Sequence, residues 1–251
     1  MINIVIPMAG AGTRFRTENY SDPKPLIDIN GFPMIKLVIK NLTPTIPHRF
    51  IFICQRAHLE KYNLYKKLEA WSPGSVVIAI EGVTDGAACT VLMARQYIDN
   101  QDHLMIANSD QYVNTSIDDY LRATQSNNLD GLIMTMKAND PKWSYVGFDE
   151  GLVTHVVEKE VISDEATVGV YNFCAGKDFV NAADEMIKKN FRVNNEFYVA
   201  PVYNQLINNN KKYGVFNIGL VSDGMYGLGT PKDLEFFKET ELCKSLTQDL
   251  I

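Results

Sequence analysis

The chain has 251 residues, 46% of them hydrophobic and 22% charged, and a formal net charge of −6. That length is generous for one domain and thin for two, and the apolar share is enough to fill a large core. The acidic balance, with no basic stripe, excludes nucleic acid and an anionic membrane surface as expected partners. Cys54, Cys89, Cys174 and Cys243 are scattered without a paired spacing and read as reduced core thiols. The chain enters a strand at once, with no basic leader and no apolar run of spanning length, so the expected location is cytoplasmic.

The first predicted element is the β-branched strand Ile2-Asn3-Ile4-Val5-Ile6, which empties into Pro7-Met8-Ala9-Gly10-Ala11-Gly12-Thr13-Arg14-Phe15. Gly10 and Gly12 can take positive φ and let backbone N–H groups converge on an anion, while Arg14 offers a planar donor fork matched to phosphate oxygens. A second cation, Lys24, stands between Pro23 and Pro25, which stiffen the loop and fix the reach of its ammonium. A dinucleotide-binding loop would need glycine where Phe15 stands and an early helix, which is not expected here; a P-loop would need Lys and Ser or Thr directly after Gly12. Both are rejected.

Further along, helical spacing over 34–42, a strand over 49–54, an amphipathic helix over 59–71, a strand over 75–80, a helix over 87–97 and a strand over 103–107 alternate. This predicts an α/β fold: three layers, Rossmann-like, with a mainly parallel central sheet and a site at the strands' carboxyl ends. Three loops land there, over 9–14, 82–86 and 108–111. A carboxylate that closes a buried strand suits a hard divalent cation held against triphosphate oxygens, so Asp110 is the expected ligand for Mg²⁺ or Mn²⁺.

A helix over 118–125 and a core strand over 131–137 come next, then short strands over 145–149, 152–159 and 166–173 between acidic turns, which read as a small antiparallel insertion. A helix over 179–189, another through 203–207 and a strand over 213–218 lead to Gly227-Leu228-Gly229-Thr230-Pro231-Lys232-Asp233-Leu234. The expected organisation is one domain over 1–251.

The pair Gly10-Ala11-Gly12-Thr13-Arg14 and Pro23-Lys24-Pro25-Leu26, in that order, resembles the signature of the nucleotidylyltransferase family, which holds the sugar-phosphate pyrophosphorylases and small-molecule cytidylyltransferases. The resemblance implies transfer of a nucleoside monophosphate from a nucleoside triphosphate to the phosphate of a small acceptor, with release of pyrophosphate. Within the one domain it implies a nucleotide-binding part over 1–137 and an acceptor-binding part over 138–251. It makes Arg14, Lys24 and Asp110 the catalytic set. It lays Met8, Ala9, Gly10, Ala11, Gly12 and Thr13 along the phosphates, and Glu81, Asp85, Gly86, Ala87, Asn108 and Ser109 around the rest of the nucleotide, with Gly86 close beneath it. The acceptor falls among Gly147, Glu158, Lys159, Gly169, Tyr171 and Glu196, with Lys159 near its phosphate. On residue chemistry alone, a solvated Glu158-Lys159 pair and a Glu196 in the first turn of a helix stand equally open.

The last run departs from the family. Many members carry a second metal-binding Asp where Gly227 stands; Asp223 is the expected substitute, with the acceptor itself as the other way to complete the shell. The resemblance favours CTP ahead of UTP or dTTP and an activated precursor for capsule or cell-surface polysaccharide as the product, and leaves a homo-oligomer open. Two other readings compete. A nucleotide-sugar glycosyltransferase of this fold would show Asp-x-Asp, whereas Asn108-Ser109-Asp110 has one acid; a silent nucleotide sensor would have lost the cations.

Overall fold

The computed structural model describes residues 1–18, 20–126 and 128–248. Its first strand, Ile2–Pro7, is flanked in parallel by His48–Gln55 on one side and His103–Ala107 on the other, with Val76–Ile80 outside His48–Gln55. Successive strands are therefore laid down in one direction and then, at His103–Ala107, in the other. The loops that leave Pro7 and Ala107 open side by side at this switch point, where open α/β sheets form their crevice.

The antiparallel strands continue the same nine-stranded sheet. Glu165–Phe173 pairs with His103–Ala107 through Val170 to Phe173, and where that neighbour ends Ser144–Asp149 takes over the same edge, with Ala166 opposite Tyr145. Leu152–Glu158 pairs outside Ser144–Asp149, while Gly131–Lys137 and then Tyr213–Leu220 extend the other edge of Glu165–Phe173. The register slips between Thr167 and Tyr171, and Gly169 sits in that irregularity at φ 81. A bulge of this kind re-aims the strand beside the crevice.

Alternation along the strands sorts side chains to the two faces. Ile2, Ile4 and Ile6 join Val38, Phe50 and Phe52 on one face, while Val5 joins Ile51, Ile53, Val91 and Ile106 on the other. Met34–Leu42 covers the first face with Ile35, Val38, Ile39 and Leu42, and Gly176–Lys188 covers the second with Phe179, Val180, Ala183 and Met186. A third cluster, formed by Phe15, Ile27, Ile29, Tyr112, Leu228, Leu234 and Phe237, ties the N-terminal loop to the C-terminal helix Pro231–Glu239.

Two predicted helices are interrupted. Asn63 takes the left-handed conformation at φ 51 and splits the first into Arg56–Lys61 and Leu64–Trp71. The second divides into Ala87–Leu92 and Arg95–Ile98 at a turn through Met93 and Ala94. The loop after the first strand is also followed by a helical turn, Thr13–Arg16, where none was expected: Gly12 at φ 63 caps it and buried Phe15 anchors it.

Aromatic packing beneath the second face is dense. Phe173, fully buried, stacks on Tyr203 with ring centroids 4.6 Å apart and meets Phe179 edge-on at 5.3 Å. Phe173→Ala leaves a cavity between three elements and is expected to cost about 3–5 kcal/mol. Urea unfolding measures it, and a loss below ~1 kcal/mol would mean that the site collapses freely.

Candidate active site

The phosphate-type loop is held from beneath. Met8 and Ala9 are buried; the Met8 amide donates to the Ile53 carbonyl at 2.9 Å, and the Gln55 side-chain amide donates to the Ala9 carbonyl at 2.7 Å. Gly12 adopts the predicted left-handed conformation and Gly10 does not. A Cβ on Gly12 would lie 3.6 Å from the Lys24 Cβ, so the glycine loop and the Pro-Lys-Pro loop are packed together.

Lys24 Nζ donates to Asp110 Oδ2 at 2.8 Å across 86 residues of sequence, with the two side chains 26% and 23% exposed. Each charge is thus drawn partly out of water and remains reachable from the cleft. Gly229 makes the room: a Cβ there would stand 2.5 Å from the same carboxylate oxygen. Leu228 donates its amide to the Asp110 carbonyl, which seats the Gly-Thr-Pro run against the end of the 103–107 strand.

One cleft, whose open space including the solvent in front of it is about 1110 Å³, is lined by Arg14, Lys24, Ala87, Asn108, Ser109 and Asp110 together with Ser144, Glu158, Lys159, Thr167, Gly169, Tyr171 and Tyr198. Gly169 is there because its neighbour is close: a Cβ would meet the Asn108 side-chain nitrogen at 2.1 Å. On the far floor, Ser144 donates to the Glu158 carboxylate, and the Tyr171 hydroxyl lies 3.1 Å from Thr167 Oγ1. Burial raises the Glu158 carboxyl above its usual range, opposed by the Ser144 hydrogen bond and by Lys159. Lys159, at φ 60, reaches Tyr198 with a 2.7 Å hydrogen bond and lies 4.8 Å from the centre of its ring.

Several predicted residues do not line that cleft, although the charge of one of them, Glu196, is close enough to add to the rise that burial gives the Glu158 carboxyl and the Tyr198 hydrogen bond gives the Lys159 ammonium. Glu81 pairs with Arg56 on the surface, and Asp85 pairs with Arg192 at 3.0 Å. Gly86 is close to protein rather than to open cleft: a Cβ would meet the Phe197 backbone nitrogen and oxygen at 2.5 Å. Gly147 makes space for the His155 ring, whose nearest atom would lie 2.2 Å from a Cβ. Glu196 does not open a helix; it closes a tight turn with Val193 over Asn194 and Asn195, both left-handed, and the following helix is Val202–Asn208. Asp223 is exposed and hydrogen-bonds through its amide to Leu220. The strand register carries it away from Asp110, since Gly227 faces Gln111, Met225 faces Val113 and Asp223 lies beyond.

Sequence reasoning missed Ser144, Thr167, Tyr198 and Gly229. Only Gly229 had a signal, its place in the Gly-Thr-Pro run; Ser144 opens a strand, Thr167 borders a bulge and Tyr198 lies in the loop before Val202–Asn208, positions that no spacing marks.

A family model described as nucleotidyl transferase matches residues 4–220. The chain belongs to that family. It is similar, at 26% identity over 176 residues, to the mannose-1-phosphate guanylyltransferase catalytic subunit beta of Danio rerio; the match takes in 67% of this chain and 49% of that protein. The chain thus spans about half the length of this curated relative. Among solved structures, the nucleoside-diphosphate-sugar pyrophosphorylase of Vibrio cholerae RC9 superposes with a TM-score of 0.81 at 24% identity, over 94% of this chain and 100% of that one. The inositol-1-phosphate CTP transferase of T. maritima superposes with a TM-score of 0.72 at 15% identity, over 98% and 95%. At these identities the likeness shows the fold, an α/β layered nucleotidyltransferase architecture. No helix among the described residues is long and apolar enough to cross a membrane.

The raised Glu158 carboxyl gives a prediction with a definite sign. A carboxyl whose folded-state pKa lies above its unfolded value favours the folded state below the unfolded pKa, and that support is lost as pH rises through the folded pKa. Glu158→Gln keeps an acceptor for Ser144 without the buried charge. The variant is therefore expected to melt above the wild type at neutral pH, with the gap closing as pH falls into the carboxylate range. Thermal melts across pH check this; a gap that is constant with pH would contradict it.

Proposed function

We propose that this chain transfers a nucleoside monophosphate, with CTP as the favoured donor and UTP or dTTP behind it, to the phosphate of a small acceptor such as a sugar phosphate, releasing pyrophosphate. The product would be an activated precursor of the kind consumed in building capsule or surface polysaccharide. The observation that carries the reading is the convergence of Arg14, Lys24 and Asp110 with Glu158 and Lys159 in one cleft. Two mutually repelling anions must be brought together in this reaction, and cations at both ends of one cleft answer that need.

No protein nucleophile is required, because the acceptor phosphate is already an anion. Arg14 would bind the triphosphate through its fork, Lys24 would turn from Asp110 toward the α-phosphate, and Lys159, aimed by Tyr198, would hold the acceptor phosphate in line. Glu158 and the Ser144, Thr167 and Tyr171 hydroxyls offer hydrogen bonds to acceptor hydroxyl or amine groups.

The donor set around Asp110 fits a hard cation shared with substrate better than a preformed protein cage. Gly227 brings no carboxylate, Asp223 lies off the site, and no cluster of three or more His, Cys, Asp or Glu able to hold a metal occurs among the described residues. We assign Mg²⁺ or Mn²⁺ to Asp110 together with the triphosphate's oxygens. When bound it would neutralise charge on the α-phosphate and the departing pyrophosphate.

A panel of CTP, UTP, dTTP and GTP against phosphorylated metabolites, scored by pyrophosphate release, tests this reading. With the best pair, Lys24→Ala and Arg14→Ala are each expected to lower kcat on the order of a hundredfold while the protein stays folded. Asp110→Asn is expected to abolish turnover at ordinary Mg²⁺, and Asp223→Asn to retain the wild-type Mg²⁺ dependence. Wild-type turnover in the Lys24 or Arg14 variant would sink the mechanism.

A further inference from the structure

We propose that Arg192 is a positioning residue that welds the loop 82–86, which delivers the cleft-lining Ala87, to the wall 197–200, so that a nucleotide bound beside Ala87 orders both segments. The inference deepens the nucleotidyl-transfer reading and rests on it.

The two segments are far apart in sequence and joined by a short ladder. Phe197 donates its amide to the Asp85 carbonyl at 2.8 Å, and Ala88 donates its amide to the Phe197 carbonyl at 3.0 Å. Gly86 lies between these rungs at φ 125, and the missing side chain is what lets the Phe197 backbone come so near. Arg192 closes the junction from outside. Its guanidinium bonds Asp85 Oδ2 at 3.0 Å, the Asn195 carbonyl at 3.0 Å and Asn190 Oδ1 at 2.7 Å, and lies 4.1 Å from the centre of the buried Phe197 ring.

Stability alone does not account for this investment. The Arg192–Asp85 pair is well exposed, with Asp85 68% accessible, and such a pair contributes roughly 0–1 kcal/mol. Its geometry does more. One bond of the fork goes to the 82–86 loop, one to the tight turn that delivers Phe197 and one to Asn190 just past the helix Gly176–Lys188, so the planar group fixes the angle at which the chain enters the wall. From Phe197 the effect is one residue long: Tyr198 holds Lys159, and Val199 and Ala200 line the cleft. On the other side the ladder ends at Ala88, next to Ala87 on the nucleotide side. A ligand that orders residues 85–88 must therefore order the amide of Phe197, and through it the aim of Tyr198 on Lys159.

Hydrogen exchange on the intact protein with Mg²⁺ and one nucleoside triphosphate, chosen from CTP, UTP, GTP and dTTP by direct binding, tests the coupling without an acceptor. In the wild type, exchange is expected to slow on the order of tenfold over both 85–88 and 197–200, in the usual range of coupling between sites. In Arg192→Ala the slowing at 197–200 is expected to fall to about twofold or less while that at 85–88 persists, and Arg192→Lys, which keeps the charge and gives up the fork, should lie between. If the alanine variant folds poorly, Arg192→Gln is read by the same criterion. Equal protection at 197–200 in wild type and variant, no protection there in the wild type, or loss at both segments together would each overturn the coupling. Failure of all four nucleotides to bind would instead overturn the nucleotidyl-transfer reading, and the coupling with it.

Discussion

The candidate site is organised around the Lys24–Asp110 ion pair, placed at the mouth of a topological switch. Lys24 and Asp110 come from opposite ends of the parallel half, and each is positioned by a different cause: Lys24 by two prolines and a buried apolar cluster, Asp110 by the end of a core strand and the vacancy at Gly229. A pair only about a quarter exposed gives up much of its hydration, so its direct contribution to folding is small or negative. What it secures is a cation and an anion held 2.8 Å apart in a cleft, each able to exchange its partner for a substrate phosphate or a hard cation.

The rest of the site is arranged around that point by backbone rather than by further charges. The bulge at Gly169 brings its strand against Asn108, and the ladder at Phe197 brings the cleft-lining segment 198–200 against the loop that follows Val76–Ile80. Both contacts are backbone approaches that a side chain would block. The energetic consequence is that the cleft's shape is set by a few glycine positions with large strain on substitution, while its polar floor is set by single hydroxyl groups that change without disturbing the sheet.

The parallel half was legible in the sequence because its strands are unbroken β-branched runs and its loops carry their own chemistry. Gly12, Arg14 and Asp110 follow closely on strand ends, so finding the strands located them, while Lys24 was marked by the prolines on either side of it. The second half was less legible. Its strands were found, yet nothing in a run such as Glu165 to Phe173 tells that it pairs with three neighbours and forms the spine of the sheet. Glu196 carried the wrong context because two consecutive left-handed asparagines make a turn where a helix start was expected. Gly86 was expected close beneath the nucleotide and Gly147 around the acceptor, whereas the neighbours that crowd these glycines are the Phe197 backbone and the His155 ring, which only the tertiary structure supplies. Asp223 failed as a neighbour of Asp110 for a simpler reason: proximity in sequence was used where strand register decides.

In the proposed transfer the bond broken joins the α-phosphorus to the oxygen that bridges it to the β-phosphorus. Parallel reactions with a nucleoside triphosphate labelled at the α- or the γ-phosphorus, in the presence of a phosphorylated acceptor, follow that bond directly. With transfer from the α-phosphorus, α-label appears in the acceptor product and γ-label in pyrophosphate. Appearance of γ-label on the acceptor, or of α-label only as free nucleoside monophosphate, would contradict it.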